Sequence, residues 1–75
     1  MAGKKFEKGS EEWKMFTEFW QLSQKYWEPD ETESYWNEML EDTKRFMEHY
    51  KIPFARRLCV ALHNGMADKL KEKNG

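Results

Sequence analysis

The fifteen residues from Trp13 to Trp27 constrain the fold more than any other part of the chain. Eight of them are large and apolar or aromatic, and three are tryptophans. The apolar positions recur at steps of three and four residues, which is the period of an amphipathic helix and not of a strand. No other segment carries as much apolar surface, so a compact structure has to be built against this predicted helix.

Two apolar stripes run side by side along this helix, at about 100° per residue. The first stripe consists of Trp13, Phe16, Trp20 and Trp27, and the second of Met15, Phe19, Leu22 and Tyr26. Together they cover about half of the circumference, more than the roughly 100° that one core contact requires. We expect the first stripe to form the core. The second stripe is either buried against a neighbouring helix or left partly exposed, in which case it is the candidate protein interface.

The first helix is predicted to span about residues 11–27. Ser10 is a suitable N-cap, because a serine side chain accepts a hydrogen bond from the first helical turn. Pro29 ends the helix, because the residue before a proline is pushed out of the helical region. Residues 1–9 are predicted to form a flexible tail in which Phe6 could dock against the first helix.

Two further helices are predicted, at about 31–50 and 54–72. Asp30 is the favoured N-cap of the second helix and Thr32 is its rival, because both side chains can accept the capping hydrogen bond. Asn64-Gly65 could end the third helix, since this dipeptide often terminates helices. The apolar stripe keeps its phase beyond it, so we expect one continuous helix with Gly65 facing inward at a close helix crossing.

No segment shows the alternation of a strand. Three helices joined by short connections predict an all-α, up-down-up antiparallel three-helix bundle, with residues 10–72 as one domain and 73–75 frayed. A chain of this length buries only about 60 % of its unfolded surface. Twelve aromatic residues and five methionines supply most of the core volume.

The chain has one cysteine, which excludes an intramolecular disulfide. Small secreted scaffolds normally contain several cysteines. The first residues have no apolar signal region, and no run approaches the roughly 18 apolar residues of a membrane span. We therefore expect a cytoplasmic protein that does not contact a membrane.

No arrangement of residues predicts catalysis. Cys59 and His63 lie four residues apart on one helical face, but a stable metal site needs three or four ligands. The same pair lacks the oxyanion donors and the orienting acid of a nucleophilic site. Glu38, Glu41 and Glu48 of the second helix are predicted to point outward, and no glycine-rich phosphate loop is present. The prediction is a protein that is not an enzyme, with no metal, no cofactor and no small-molecule substrate.

Charge is unevenly distributed along the chain. Residues 28–50 carry eight acidic residues against two basic ones, whereas residues 51–75 carry six basic residues against two acidic ones. The basic and polar residues on the outer side of the third helix form a candidate nucleic-acid face, which consists of Arg56, Arg57, His63, Asn64 and Lys71. Such a face could bind phosphates. However, the isoelectric point near 6.1 and the acidic second helix disfavour a nucleic-acid partner.

Pairs of aromatic residues give the chain a resemblance. Phe19-Trp20, Tyr26-Trp27 with Pro29, Tyr35-Trp36 and Pro53-Phe54-Ala55 resemble small uncharacterised helical proteins encoded by phages and conjugative elements of Gram-positive bacteria. The resemblance covers about residues 13–62. It implies an accessory protein of a mobile element, and it implies neither an activity nor any functional residue.

The functional prediction is a small helical domain that acts by protein–protein contact, with a homodimer as one form of that contact. The alternative is a nucleic-acid-binding accessory factor that uses the third helix.

Overall fold

The computed structural model describes residues 3–74 and contains three α-helices, with no strand in that range. Helix α1 spans Glu11–Lys25, α2 spans Glu33–His49 and α3 spans Pro53–Asn74. The all-α, three-helix prediction is confirmed. Residues 1 and 2 of the predicted tail and residue 75 of the predicted frayed end lie outside the described residues.

The segment before α1 contacts the bundle through Phe6. Its ring stacks on Phe16 with the centroids 5.5 Å apart, and Phe16 in turn meets the edge of Phe54 on α3. Lys4 Nζ lies 2.8 Å from Glu12 Oε1. The predicted docking of Phe6 is confirmed.

Ser10 caps α1 as predicted, since its Oγ accepts a hydrogen bond from the Trp13 N–H at 3.2 Å. The helix ends at Lys25, two residues before the predicted end, and Tyr26 is its C-cap residue. The Tyr26 N–H still donates to the Leu22 carbonyl at 3.1 Å. Trp27 therefore belongs to the turn and not to the helix.

Thr32, the rival candidate, is the N-cap of α2. Its Oγ1 accepts from the Tyr35 N–H at 3.4 Å. The favoured candidate Asp30 was wrong: its Oδ1 instead accepts from the Thr32 N–H at 3.1 Å. This short turn holds the residue that caps the helix, because aspartate side chains readily bond backbone groups two residues ahead.

Helix α3 runs without a break through Asn64-Gly65, which confirms the continuous helix. It continues through Lys73 to Asn74, two residues beyond its predicted end. Asn74 Nδ2 donates to Glu31 Oε1 in the turn before α2. The predicted close crossing at Gly65 is wrong, because a Cβ added there would meet nothing within 4 Å.

The core consists of two clusters along the bundle. One contains Met15, Phe46, Tyr50, Ala55 and Cys59, and the other Tyr26, Met39, Leu62 and Met66. The first cluster joins the start of α1, the end of α2 and the start of α3. The second joins the end of α1 with the start of α2 and the middle of α3. Consecutive helices are therefore antiparallel, which leaves α1 and α3 parallel.

The fully buried residues of α1 come from its second stripe and not from the first stripe, which was predicted to form the core. Met15 and Tyr26 are only 3 % and 2 % exposed, whereas Trp20 is 66 % and Trp27 54 % exposed. Trp13, like Phe16, is half-buried. The prediction that the first stripe forms the core is therefore wrong for Trp20 and Trp27. Both stripes have helical period and large apolar side chains, so the period alone does not fix which of them faces inward.

Candidate protein interface

Three tryptophans at seven-residue intervals lie along α1 and in the turn after it: Trp13 is half-buried, and Trp20 and Trp27 are exposed. We call Trp13, Trp20 and Trp27 the tryptophan face. Seven residues are close to two helical turns, so Trp13 and Trp20 lie almost one above the other, and Trp27 follows just past the helix end. Between them on the same side lie Thr17 and Gln24, which are uncharged. The tryptophan face is thus an apolar strip with no charged side chain between its rings.

Hydrogen bonds to α2 determine which side of α1 faces inward. The Tyr26 hydroxyl donates to Asp42 Oδ2, and Lys25 Nζ lies 2.8 Å from the same oxygen. The Tyr35 hydroxyl donates to the Tyr26 carbonyl at 2.6 Å. Because a buried tyrosine needs a partner for its hydroxyl, this set fixes Tyr26 inward. The tryptophan face is then left on the outside.

The predicted interface is largely in the interior. Met15 and Tyr26 are buried, and Phe19 and Leu22 are half-buried against both core clusters. Exposure is therefore wrong for Met15 and Tyr26, whereas Phe19 and Leu22 keep part of their surface exposed. The exposed residues are those of the first stripe, for which the sequence contained one unused signal: three tryptophans evenly spaced with only uncharged residues on their side.

Lys69 of α3 contacts both the ring and the backbone of Trp27. Its Nζ lies 3.8 Å from the centre of the Trp27 ring, and it donates to the Trp27 carbonyl at 2.6 Å. A cation over an indole face is favourable, and the carbonyl bond fixes the ammonium in place. The ring is held in one position while more than half of its surface stays exposed.

Asp42 is the centre of a small polar cluster beside α1. Burial alone would raise the pKa of its carboxyl, but hydrogen bonds from Lys25, Tyr26 and Arg45 outweigh burial and lower the pKa. Burial, helped by the Asp42 charge, raises the pKa of Tyr26 to about 12. An open cleft of about 450 Å³ lies next to the cluster, between α1 and α2. Lys25 and Arg45 line this cleft, and both already bind Asp42. Since Lys25 belongs to α1 and Asp42 to α2, the cluster joins these two helices.

The candidate nucleic-acid face loses one member in the structure. Arg56, Arg57, Asn64 and Lys71 are exposed on α3. His63 instead turns toward α2 and is half-buried, so its placement on the outer side was wrong. Its neighbours Leu62, one residue before it, and Met66, three residues after it, are buried in the core.

The His63 ring is held by Thr43. Its Nε2 lies 3.2 Å from Thr43 Oγ1. The Thr43 hydroxyl also lies 2.8 Å from the Met39 carbonyl and 3.2 Å from the Leu40 carbonyl, to either of which it can donate. Burial lowers the pKa of His63, which favours the neutral ring at pH 7. His63 therefore adds no positive charge to α3.

Cys59 is buried in the first core cluster. Its thiol contacts the Thr43 carbonyl at 3.8 Å, and burial raises its pKa to about 11. The thiolate that reacts with electrophiles and metals is thus disfavoured. Among residues 3–74, no three histidine, cysteine or acidic side chains converge as ligands for a metal ion. Within the same range, no helix has the length and apolarity to cross a membrane.

Comparison with known proteins gives no match: no protein family, no curated protein and no solved structure is similar to the chain. The resemblance to helical proteins of phages and conjugative elements stays a prediction.

Proposed function

We propose that this chain is a non-enzymatic, cytoplasmic protein–protein interaction domain whose contact surface is the tryptophan face. The observation that carries the proposal is the exposure of Trp20 and Trp27 in a chain that buries much smaller residues. Tryptophan is among the residues most enriched at the energetic centres of interfaces, because it combines a large apolar area with one N–H donor. Leaving such rings in water is unfavourable unless a partner covers them.

The surroundings of the tryptophan face support the same proposal. Thr17 and Gln24 separate the rings, and neither carries a charge. Interface centres are depleted of charged residues relative to the rest of the surface. Leu40 of α2 and Val60 of α3 are also exposed, but they are single aliphatic side chains; Phe54 of α3 is 49 % exposed and contacts Phe16.

A nucleic-acid-binding role is the second candidate. Four exposed residues of α3 support it, namely Arg56, Arg57, Asn64 and Lys71. The inward position of His63 and the acidic residues of α2 count against it.

We also propose that the protein serves a phage or another mobile element, a hypothesis that the genes surrounding it would test.

A charge placed on the tryptophan face tests the proposed function. We expect Trp20→Glu to reduce binding of protein partners at least about tenfold, because truncating a central tryptophan commonly costs 2 kcal/mol or more. The control is Leu40→Glu, which adds the same charge at a leucine that is 57 % exposed on α2. Each variant would be used in affinity capture from a lysate of the source organism, and its molar mass followed by light scattering over a range of concentrations.

Affinity capture and light scattering together decide whether the tryptophan face is a contact surface. Association or capture that is lost in Trp20→Glu and kept in Leu40→Glu supports the tryptophan face. Wild type that stays monomeric and captures nothing contradicts the proposal, as does equal behaviour of the two variants. Circular dichroism checks that both remain folded, which is expected because each site is exposed.

A further inference from the structure

We infer that the tryptophan face binds the same face of a second copy of this chain, with the two α1 helices antiparallel about a two-fold axis at Trp20. The inference rests on the proposed function and names its partner.

The first support for this pairing is the spacing of the tryptophan rings. Trp20 lies midway between Trp13 and Trp27 in the sequence. A two-fold interface requires that residue i meets residue j and that j meets i. Antiparallel pairing centred on Trp20 meets this condition, because Trp20 packs on its own copy and Trp13 lies opposite Trp27 of the second copy.

The small residues of the face fit the same arrangement. Thr17 and Gln24 lie on one side of the row, three residues before and four residues after Trp20. About the two-fold axis, Thr17 of one copy is opposite Gln24 of the other. These uncharged side chains fill the spaces between the tryptophan layers, so two copies meet without burying a charge.

The helix dipoles favour the antiparallel direction over the parallel one, because antiparallel pairing sets the positive start of each α1 against the negative end of the other. Parallel pairing would also set the two acidic first turns, with Glu11 and Glu12, against each other. In the antiparallel pair, Lys69 beside Trp27 would instead lie near the acidic first turn of the other copy.

One helix per copy limits the size of the contact. A 15-residue helix is about 22 Å long, so the interface lies at the small end of the range for stable complexes. The net charge of −1 leaves little long-range repulsion between copies.

Disulfide cross-linking tests the direction of pairing. Thr17→Cys and Gln24→Cys chains are mixed in equal amounts at a concentration where wild type sediments as a dimer, and oxidised. The antiparallel arrangement predicts that the mixed Thr17→Cys with Gln24→Cys dimer exceeds both self-linked dimers, which intact mass distinguishes. The native thiol adds no link, because Cys59 is buried. Self-linked dimers in equal or greater amount would overturn the antiparallel arrangement.

Sedimentation velocity separates failure of this inference from failure of the proposed function. A dimer that Trp20→Glu dissociates and Leu40→Glu keeps supports both. If wild type is monomeric at all concentrations but Trp20→Glu still abolishes capture of another protein, the second copy is not the partner and the proposed function stands. If a dimer survives Trp20→Glu and is lost in Leu40→Glu, both are wrong.

Discussion

At the scale of single residues, polar contacts decide which of two apolar stripes becomes the core. Either stripe of α1 could pack against the other helices by apolar area alone. Only one rotation of α1 lets the Tyr26 hydroxyl reach Asp42. This pairing joins residues sixteen positions apart, so no local pattern in the sequence predicts it. For the same reason the sequence pattern includes Met15 and Tyr26, which the structure buries, in the candidate protein interface.

Replacing Asp42 tests the importance of this contact. We expect Asp42→Asn to lower the free energy of unfolding at pH 7 by about 1–2 kcal/mol, because charged hydrogen bonds from Lys25 and Arg45 are lost. The carboxyl pKa is lower in the folded than in the unfolded chain. Its contribution is therefore complete above about pH 4 and declines as pH falls through the folded-state pKa.

Urea unfolding at pH 7 and at pH 3 would measure the effect. The difference between wild type and Asp42→Asn should be smaller at pH 3. Asp68→Asn is the matched control, since Asp68 is exposed on α3. Equal losses in the two variants at pH 7 would show that the Asp42 contacts do not stabilise the fold.

At the scale of helices, local signals predicted most of the structure. Ser10 and the sequence before Pro29 gave the first helix to within two residues at its end, and the unbroken stripe gave a continuous α3. These features depend on neighbours within one or two turns. The surroundings of Gly65 depend on how far α1 stands from α3, which the sequence does not encode locally. That dependence explains the wrong prediction of a close crossing.

The open space at Gly65 makes a stabilising substitution available. We expect Gly65→Ala to raise the free energy of unfolding by about 0.5–1 kcal/mol, because alanine loses less backbone entropy in a helix and its Cβ meets nothing within 4 Å. The melting temperature should rise by about 4 °C, as measured by circular dichroism.

Gly9→Ala provides the opposite case. Gly9 has a φ of +89°, which an alanine adopts only with strain, so this variant should be less stable than wild type. A Gly65→Ala protein that melts below wild type would contradict the open space described here.

At the scale of the whole molecule, charge is separated between two faces. Helix α2 carries five acidic and two basic residues, and α3 carries five basic and two acidic ones. These helices are neighbours, so a long polyanion that approaches α3 also meets the field of α2. The sequence predicted this separation correctly, because it depends only on which residues belong to which helix.

Duplex DNA should therefore bind weakly. In a fluorescence anisotropy titration we expect no saturable binding at about 150 mM salt. A protein that makes only a few phosphate contacts binds DNA weakly at this salt concentration. Tight binding under these conditions, lost on replacing Arg56 and Arg57 with alanine, would contradict this expectation and favour the second candidate function.

Because consecutive helices are antiparallel, the segment before α1 and the end of α3 lie at opposite poles of the described part of the chain, which is 42 Å long. The segment before α1 lies near the start of α3 through Phe6 and Phe16, whereas Asn74 reaches the turn before α2. Any segment joined before residue 3 would therefore leave from the pole opposite to one joined after residue 74. In the antiparallel pair inferred above, each pole of the dimer would carry the start of α1 from one copy and the end of α3 from the other. A protein fused before α1 or after α3 would therefore be present at both poles of the dimer.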